Sequence, residues 1–371
     1  MALNPLANPK GVKRLCELCQ KPAFIECLDC RVTYYCTKEH QGIDYRGIHK
    51  KICSLLIHLR APAPFLNSGE DRQNRKDEML LRQKQMIDLT RTTGQKLLFE
   101  GKHEQAVPAA MQALKFAIDV YGLSSIELVP SYLILGEASI GLGHLSHAEE
   151  YLSQAQWTVL KTPECSHDIQ SRLHRNVGLL YAAKGDYPES LNQLGNDIYH
   201  SSEAFGTDDI RTSGGYFHMA NVFFRLNKMK TADSLYKKVT TIWFTFLERI
   251  INVRTRTPVV PKGVGPVAEE PPMKEEVLDE AQEAEAIQVL NAIYDMREQQ
   301  RATAQVMAKI AYAVTMLYTV LHDFSRANSF IYTAVKASKA NPEDELSKKI
   351  AELARMLQTP YTSGIAMGMK I

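Results

Sequence analysis

Net charge is nearly absent from this sequence of 371 residues: 44 Lys and Arg stand against 42 Asp and Glu, a formal +2 at pH 7. No strong field therefore draws the chain to nucleic acid or to an anionic membrane. Long apolar runs are missing as well. The longest uncharged apolar stretch, Ile310 to Leu321, is shorter than the roughly 20 residues that a membrane-spanning helix needs. It predicts a helix buried by its neighbours, and no membrane partner is expected. The first ten residues, MALNPLANPK, hold no apolar core of signal-peptide length, so a cytoplasmic location is expected. Catalytic signatures are also lacking. There is no Gly-rich phosphate loop followed by Lys and Ser/Thr, and no His-Glu-x-x-His helix. His103, His144 and His147 fall on helix surfaces or turns, with no partner set suited to acid–base work. The expectation is a protein that is not an enzyme and takes no small-molecule substrate.

What is present is a cysteine cluster. Of seven cysteines, six lie between Cys16 and Cys53, and Cys165 stands alone as an expected buried small side chain. Without a secretory signal, such a cluster points to metal and not to disulfides. The string reads Cys16-x2-Cys19-x7-Cys27-x2-Cys30-x5-Cys36-x3-His40-x8-His49-x3-Cys53, four pairs of candidate ligands. A pair spaced by two residues lets a tight turn aim both sulfurs at one ion. A pair spaced by three fits one helical turn, where i and i+4 share a face. Zinc prefers four such thiolate and imidazole ligands in a tetrahedron, so eight suit two closed, structural ions. The pairs can be shared between the two ions in more than one way.

The string from Cys16 to Cys53, with Tyr34-Tyr35-Cys36 and His49-Lys50-Lys51-Ile52-Cys53, resembles a MYND zinc finger. That family interleaves its ligands. The resemblance implies one zinc on Cys16, Cys19, Cys36 and His40, and a second on Cys27, Cys30, His49 and Cys53. His40 stands where the family most often has Cys. Similar fingers hold short proline-rich peptides in a shallow groove, and the matching positions here are Gln41 and Tyr45. The segment is too small for a core, so metal replaces one, with Phe24, Ile25, Val32, Tyr34 and Ile52 as its expected apolar filling. Residues 1–60 carry ten Lys/Arg against five Asp/Glu, yet the basic group Arg46, Lys50 and Lys51 offers no base-reading helix. No nucleic-acid partner is expected.

The remainder repeats itself. Gly94, Gly136, Gly178 and Ala220 form one column; Gly101, Gly143, Gly185 and Asn227 a second; Ala106, Ala148, Ser190 and Ala232 a third; each steps by 42 residues. The first and third columns are small, so two helices can cross closely. The second suits a left-handed residue that ends the first helix of each pair. The pattern resembles the tetratricopeptide repeat, whose usual period is about 34 residues, in the longer form seen in kinesin light chains. A fifth unit fits at Tyr318, Asp323 to Ala327 and Ile331.

The expected class is mainly α: a two-zinc MYND finger, then an α-solenoid of 42-residue tetratricopeptide-like repeats. The expected segments are a tail at 1–15, the finger at 16–53, and a linker with the start of a long helix at 54–86. Four repeats at 87–250 follow. A Pro/Glu-rich disordered insertion comes next at 257–286, then C-terminal helices with the fifth repeat at 287–358 and a tail at 359–371. Ala61-Pro-Ala-Pro64 is a stiff break, and Asp77 to Leu98 is expected as one helix. The insertion carries five prolines from Pro258 to Pro272 and should turn helical from Val277.

A stack of helix pairs offers a concave face lined by first helices. Arg172, Arg175, Asn176, Asn221 and Arg225 are expected on it, suited to a peptide carboxylate or an acidic segment. Protein partners and two structural Zn2+ are thus expected. Finger plus long repeats plus Pro/Glu insertion is a layout similar to that of MYND–tetratricopeptide proteins of motile cilia and sperm flagella. The resemblance implies association with inner-arm dynein and with other repeat proteins, and a part in sperm motility. Nuclear corepressor assembly is the alternative, since some MYND fingers serve there, although no basic import cluster of five or more residues supports it. A SET-type lysine methyltransferase would need a β-rich domain and an Asn-His pair, and the chain has neither room nor that dipeptide.

Overall fold

The computed structural model describes residues 14–60, 68–255 and 277–358. The expected tails up to residue 13 and from 359, the Ala61–Pro64 break and the 257–276 part of the insertion lie outside the described residues. The chain divides into two compact units, Met1–Ala204 and Phe205–Ile371.

The first unit opens with two short antiparallel strands, β1 (Ile25–Glu26) and β2 (Tyr34–Tyr35), with Ile25 opposite Tyr35. Arg14 and Leu15, placed in the tail by sequence, already belong to the finger: Leu15 bridges to Pro22, and the Ala23 amide donates to the Arg14 carbonyl. Helix α1 (Lys38–Asp44), a π-helical turn at Tyr45–His49 and α2 (Lys50–Arg60) follow. Three helix pairs complete the unit: α3 (Gly69–Phe99) with α4 (His103–Tyr121), α5 (Val129–Gly141) with α6 (Leu145–Leu160), and α7 (His167–Lys184) with α8 (Tyr187–Phe205). The second unit holds α9 (Ile210–Arg225), α10 (Met229–Thr255), α11 (Glu280–Gln299), α12 (Ala304–Val320), α13 (Phe324–Ser338) and α14 (Glu345–Gln358). The class is mainly α.

The turns carry the repeat. Gly101, Gly143, Gly185 and Asn227 all adopt positive φ, at 72°, 76°, 85° and 58°. At each turn the next amide reaches back to the carbonyl five residues earlier: Lys102 to Leu97, His144 to Ser139, Asp186 to Tyr181 and Lys228 to Phe223, at 2.8–2.9 Å. This Schellman bond satisfies carbonyls that the helix end leaves open. The expected fifth unit repeats it, with His322 at φ 60° and Asp323 donating to Tyr318. A further copy joins α11 to α12, with Arg301 at φ 51° and Ala302 donating to Arg297. An Arg at the left-handed position carries no small-residue signature, so the sequence pattern missed it.

The small columns act as expected but with a different closest neighbour. A Cβ at Gly136 would lie 2.9 Å from Leu152, and one at Gly178 2.9 Å from Leu194 Cγ. A leucine of the second helix thus sits over Gly136 and over Gly178, whereas at Gly94 the nearest atom is Ile134 Cγ2 of α5, at 3.2 Å. The third column meets the first at Ser190, whose hydroxyl donates to the Gly178 carbonyl at 2.8 Å.

Two boundaries move. Helix α3 starts at Gly69, eight residues before the expected Asp77, because Ser68 caps it by accepting from the Glu70 amide at 3.1 Å. Its first turns are charged and exposed, so apolar periodicity could not mark them. Helix α11 starts at Glu280, three residues after the expected helical turn at Val277, so only the end assigned to the insertion moves. Asp279 and Gln282 form a capping box there, and Ala281, Ala284 and Ala286 are buried. The second unit packs around Trp243, Leu247, Leu290 and Leu317, all fully buried. The Ile310–Leu321 run lies in and just past α12, buried almost throughout, as expected. Cys165 is only half-buried in the turn before α7.

The two glycine roles separate by mutation. Gly143→Ala meets no neighbour within 4 Å among the described residues, so it should cost only the left-handed backbone penalty, about 1–2 kcal/mol. Gly178→Val must displace Leu194 and should cost about 1–3 kcal/mol by overpacking. Asn227→Gly should leave stability level or raise it. Urea midpoints with an unchanged slope check all three.

Candidate metal centre and its dock on the first helix pair

The eight candidate ligands converge on two points. Cys16, Cys19, Cys36 and His40 form one group and Cys27, Cys30, His49 and Cys53 the other, the ligand atoms of each lying within 4.8 Å of one another. The interleaved pairing implied by the resemblance is the one formed. The hairpin β1–β2 makes this necessary: it brings the stretch after Cys30 back beside Cys19, and α1 presents His40 one turn after Cys36.

The spacing fits zinc. Ligands on a tetrahedral zinc at ~2.3 Å for sulfur and ~2.0–2.1 Å for nitrogen lie about 3.6–3.8 Å apart. In the first group Cys19 Sγ lies 3.5 Å from Cys36 Sγ, and His40 Nδ1 lies 3.5 Å from Cys16 Sγ and 3.2 Å from Cys36 Sγ. In the second, Cys27 Sγ lies 3.9 Å from Cys53 Sγ, and His49 Nε2 lies 3.2 Å from Cys27 Sγ and 3.8 Å from Cys30 Sγ. The two histidines therefore turn opposite ring nitrogens to the sulfurs. Each zinc has four protein ligands and no open coordination position, which makes it structural.

The surroundings finish the second site. With His49 Nε2 aimed at the sulfurs, Nδ1 faces Asp44 Oδ2 at 3.8 Å. Tyr35, fully buried, donates its hydroxyl to the same Asp44 oxygen at 2.5 Å. At 3.8 Å the Asp44 carboxylate is a charge lying behind the His49 ring and not a hydrogen-bond partner of it; which nitrogen faces the sulfurs follows from the Nε2 distances to Cys27 and Cys30. Among the described residues neither His49 Nδ1 nor Asp44 Oδ1 has a hydrogen-bond partner although both are buried. Thr33 Oγ1 lies 3.3 Å from Cys30 Sγ. The expected apolar filling is partly corrected. Ile52 is fully buried, but Phe24 is 74% exposed, and Tyr35 rather than Tyr34 turns inward because neighbouring strand residues face opposite sides.

The finger does not stand free. Ile48, Ile52 and Leu56 share one core with Met86, Ile87, Ala109 and Phe116 of the first helix pair. Gly47 touches α4 so closely that a Cβ would fall 2.5 Å from the Gln105 carbonyl oxygen and 2.7 Å from Pro108. Beside this seam Glu17, between two zinc ligands, is 8% exposed. Its carboxylate accepts from Arg60 at 2.6 Å, Gln112 at 3.0 Å and Lys115 at 3.0 Å, and Lys115 also donates to the Glu17 carbonyl at 2.8 Å. Burial pushes the Glu17 carboxyl up, but the Arg60 and Lys115 cations outweigh it and hold it below the usual carboxylate range. Sequence reasoning missed this cluster, since nothing local links Glu17 to residues 95 and 98 positions away.

The other expected binding residues are dispersed. Gln41 is half-buried in α1. Tyr45 is 44% exposed, its ring 6.4 Å from that of His49. Arg175 does not face out as a free cation: its guanidinium donates to Asp197 at 2.8 Å, and that carboxylate is fully buried and also accepts from Ser171 at 2.5 Å. Arg172 pairs with Asp168 at 2.9 Å one turn away. Asn176 is buried and donates to the Arg172 carbonyl, and Asn221 accepts from Tyr236 at 2.7 Å. Arg225 is exposed at the end of α9. Arg175 and Asn221 are thus spent on contacts between helices, Arg172 and Asn176 on contacts within α7, and only Arg225 remains exposed at a helix end. Columns of small residues do not reveal the partner of a charged residue, which is why these side chains read as free.

Elemental analysis should find two zinc atoms per chain. Cys36→Ala should lower this to one by emptying the first site, and Cys53→Ala should do the same through the second; two atoms retained in either variant would refute the ligand assignment. The dock is tested separately. Gly47→Ala should cost about 1–3 kcal/mol by forcing α4 away. Glu17→Ala should cost about 2 kcal/mol, less than a fully buried pair because Arg60 and Lys115 still reach water. Thermal melts with zinc in excess read both.

Among known proteins, residues 16–53 match the MYND finger family. Over 58 residues the chain is 36% identical to Programmed cell death protein 2 of Rattus norvegicus. That overlap covers 16% of this chain and 17% of the relative, so the chain spans about one sixth of the relative's length. A structure described as the functional characterization of Pseudomonas aeruginosa pilF matches over 73% of this chain and 99% of its own, at 14% identity and a TM-score of 0.32. At that TM-score the likeness carries nothing about this chain. Ligand spacing, ligand geometry and the family match agree on one conclusion: residues 16–53 form a MYND finger with two Cys3His zinc sites.

Proposed function

We propose that this zinc-binding, protein-interacting chain is a non-catalytic adaptor of the axoneme in motile cilia and sperm flagella. Its partners there are inner-arm dynein and other repeat proteins, and its loss impairs sperm motility. The observation that carries the adaptor role is the closure of both zinc sites together with the dock of the finger on α3 and α4. A metal with four protein ligands builds shape and leaves no position for a substrate. Helix pairs that stack on one another bury one face of each helix and leave long outer faces for other proteins. Among the described residues no helix is long and apolar enough to cross a membrane. The axonemal assignment rests on the likeness of the whole layout to ciliary MYND–tetratricopeptide proteins. Axonemal fractionation and cross-linking mass spectrometry of the tagged chain from ciliated cells test it. Enrichment with axonemes and cross-links to dynein-associated repeat proteins are expected. Accumulation in nuclei with corepressor components would replace this reading, and methyl transfer from a labelled donor would end the non-catalytic one.

A further inference from the structure

Away from the finger, the third helix pair gathers three histidines. His167 opens α7, His174 lies two turns further along it, and His200 stands on α8. His167 Nδ1 and His200 Nδ1 approach to 2.9 Å. The His174 ring stacks on the His200 ring with centroids 5.4 Å apart and planes 4° apart. His174 Nδ1 donates to Gln193 Oε1 at 2.7 Å, which fixes its tautomer and its plane. Tyr199 closes edge-on against His200, centroids 5.2 Å apart at 72°. Two ring nitrogens that face each other this closely share either one proton or one metal ion, since protonation of both would repel.

We propose that His167 and His200 form a divalent transition-metal site of the cis-bis-imidazole kind, suited to Cu2+ or Ni2+ and distinct from both finger sites. The distance fits a right-angled pair of ligands. Two nitrogens bound at about 2.0–2.1 Å and at right angles lie about 2.9 Å apart, as found; at a tetrahedral angle they lie about 3.3 Å apart, so zinc requires the rings to separate. Imidazole nitrogen with square or tetragonal geometry is the preference of Cu2+ and Ni2+, and Cu2+ is the tightest binder of the divalent series. Each ring then carries its proton at Nε2, and water completes the coordination. His174 does not ligate: its stacked ring and the Gln193 bond hold the plane of His200, the role of an outer-shell partner. The ring of His167 is exposed, so the ion enters directly from solvent.

The test uses the full, untagged chain with both finger sites already filled with zinc. Ni2+ is titrated calorimetrically, and nickel and zinc are counted by elemental analysis after gel filtration. One nickel per chain is expected alongside two zinc atoms. His167→Ala and His200→Ala should each weaken nickel binding by about tenfold or more, the loss of one ligand, and His174→Ala by about threefold or less. His200→Gln, which keeps the size of the side chain, should weaken binding like His200→Ala, with circular dichroism confirming the helices. Nickel affinity unchanged in His167→Ala or His200→Gln, or nickel taken up only as zinc leaves, would overturn the site.

Discussion

Zinc–ligand bonding is the constraint on which the first part of this molecule rests. The segment from Cys16 to Cys53 has two-residue strands and one short helix, too little to bury a core of its own. What holds it is a pair of ions, each tying chain segments far apart in sequence: Cys16 to His40 across 24 residues, Cys27 to Cys53 across 26. Because the ligand pairs interleave, neither ion can be satisfied until both halves of the segment are in place. The metal therefore specifies the hairpin and the start of α2 as well as stabilising them, and metal binding is folding here.

The finger's outer surface completes what the metal begins. The last ligand, Cys53, is itself part of α2, and the apolar side of that helix, Ile52 and Leu56, is buried against the first helix pair. Glu17 sits between two ligands of the first ion and is gripped by Arg60, Gln112 and Lys115. A carboxylate held this way makes an ion pair in partial shelter from water, where Coulomb attraction exceeds that on an open surface. Such a pair contributes orientation more than raw stability. The finger thus meets the first helix pair in one fixed pose, set by a close backbone approach at Gly47 and a directional charge cluster at Glu17. A linker boundary at residue 54 cuts through the middle of this joint, which is why the segment division read from the sequence holds for the ligands and fails for the packing.

Local rules were legible and distant pairings were not. The zinc ligands announce themselves because cysteine is rare and its spacing is chemical. The helix-pair turns were visible because Gly and Asn at a left-handed position leave a mark with constant stride. The same turn at Arg301 left none: its backbone bears the strain that Gly avoids, with the surrounding hydrogen bonds holding it. The start of α3 escaped an apolar-period reading because a cap, Ser68, defines it, whereas α11 begins within three residues of the expected Val277, behind the Asp279 cap. The Glu17 cluster and the Arg175–Asp197 pair depend on which charges the fold brings together, and no pattern along the chain records that.

The fate of the expected basic groove shows how a helix-pair array treats charge. Asp197 has no solvent contact, and isolated burial of a carboxylate is prohibitively costly. Arg175 and Ser171 from the facing helix supply its partners, so the pair locks α7 to α8 at a fixed rotation. That lock sets the facing register of the two helices, and the His167–His200 approach lies along the same seam: Ser171 follows His167 by one turn, and Asp197 precedes His200 by about one. Charges read from sequence as a binding surface thus fix the geometry of the helix pair instead. A ligand surface on such an array belongs to side chains that this internal pairing leaves exposed, as it leaves Arg225 at the end of α9.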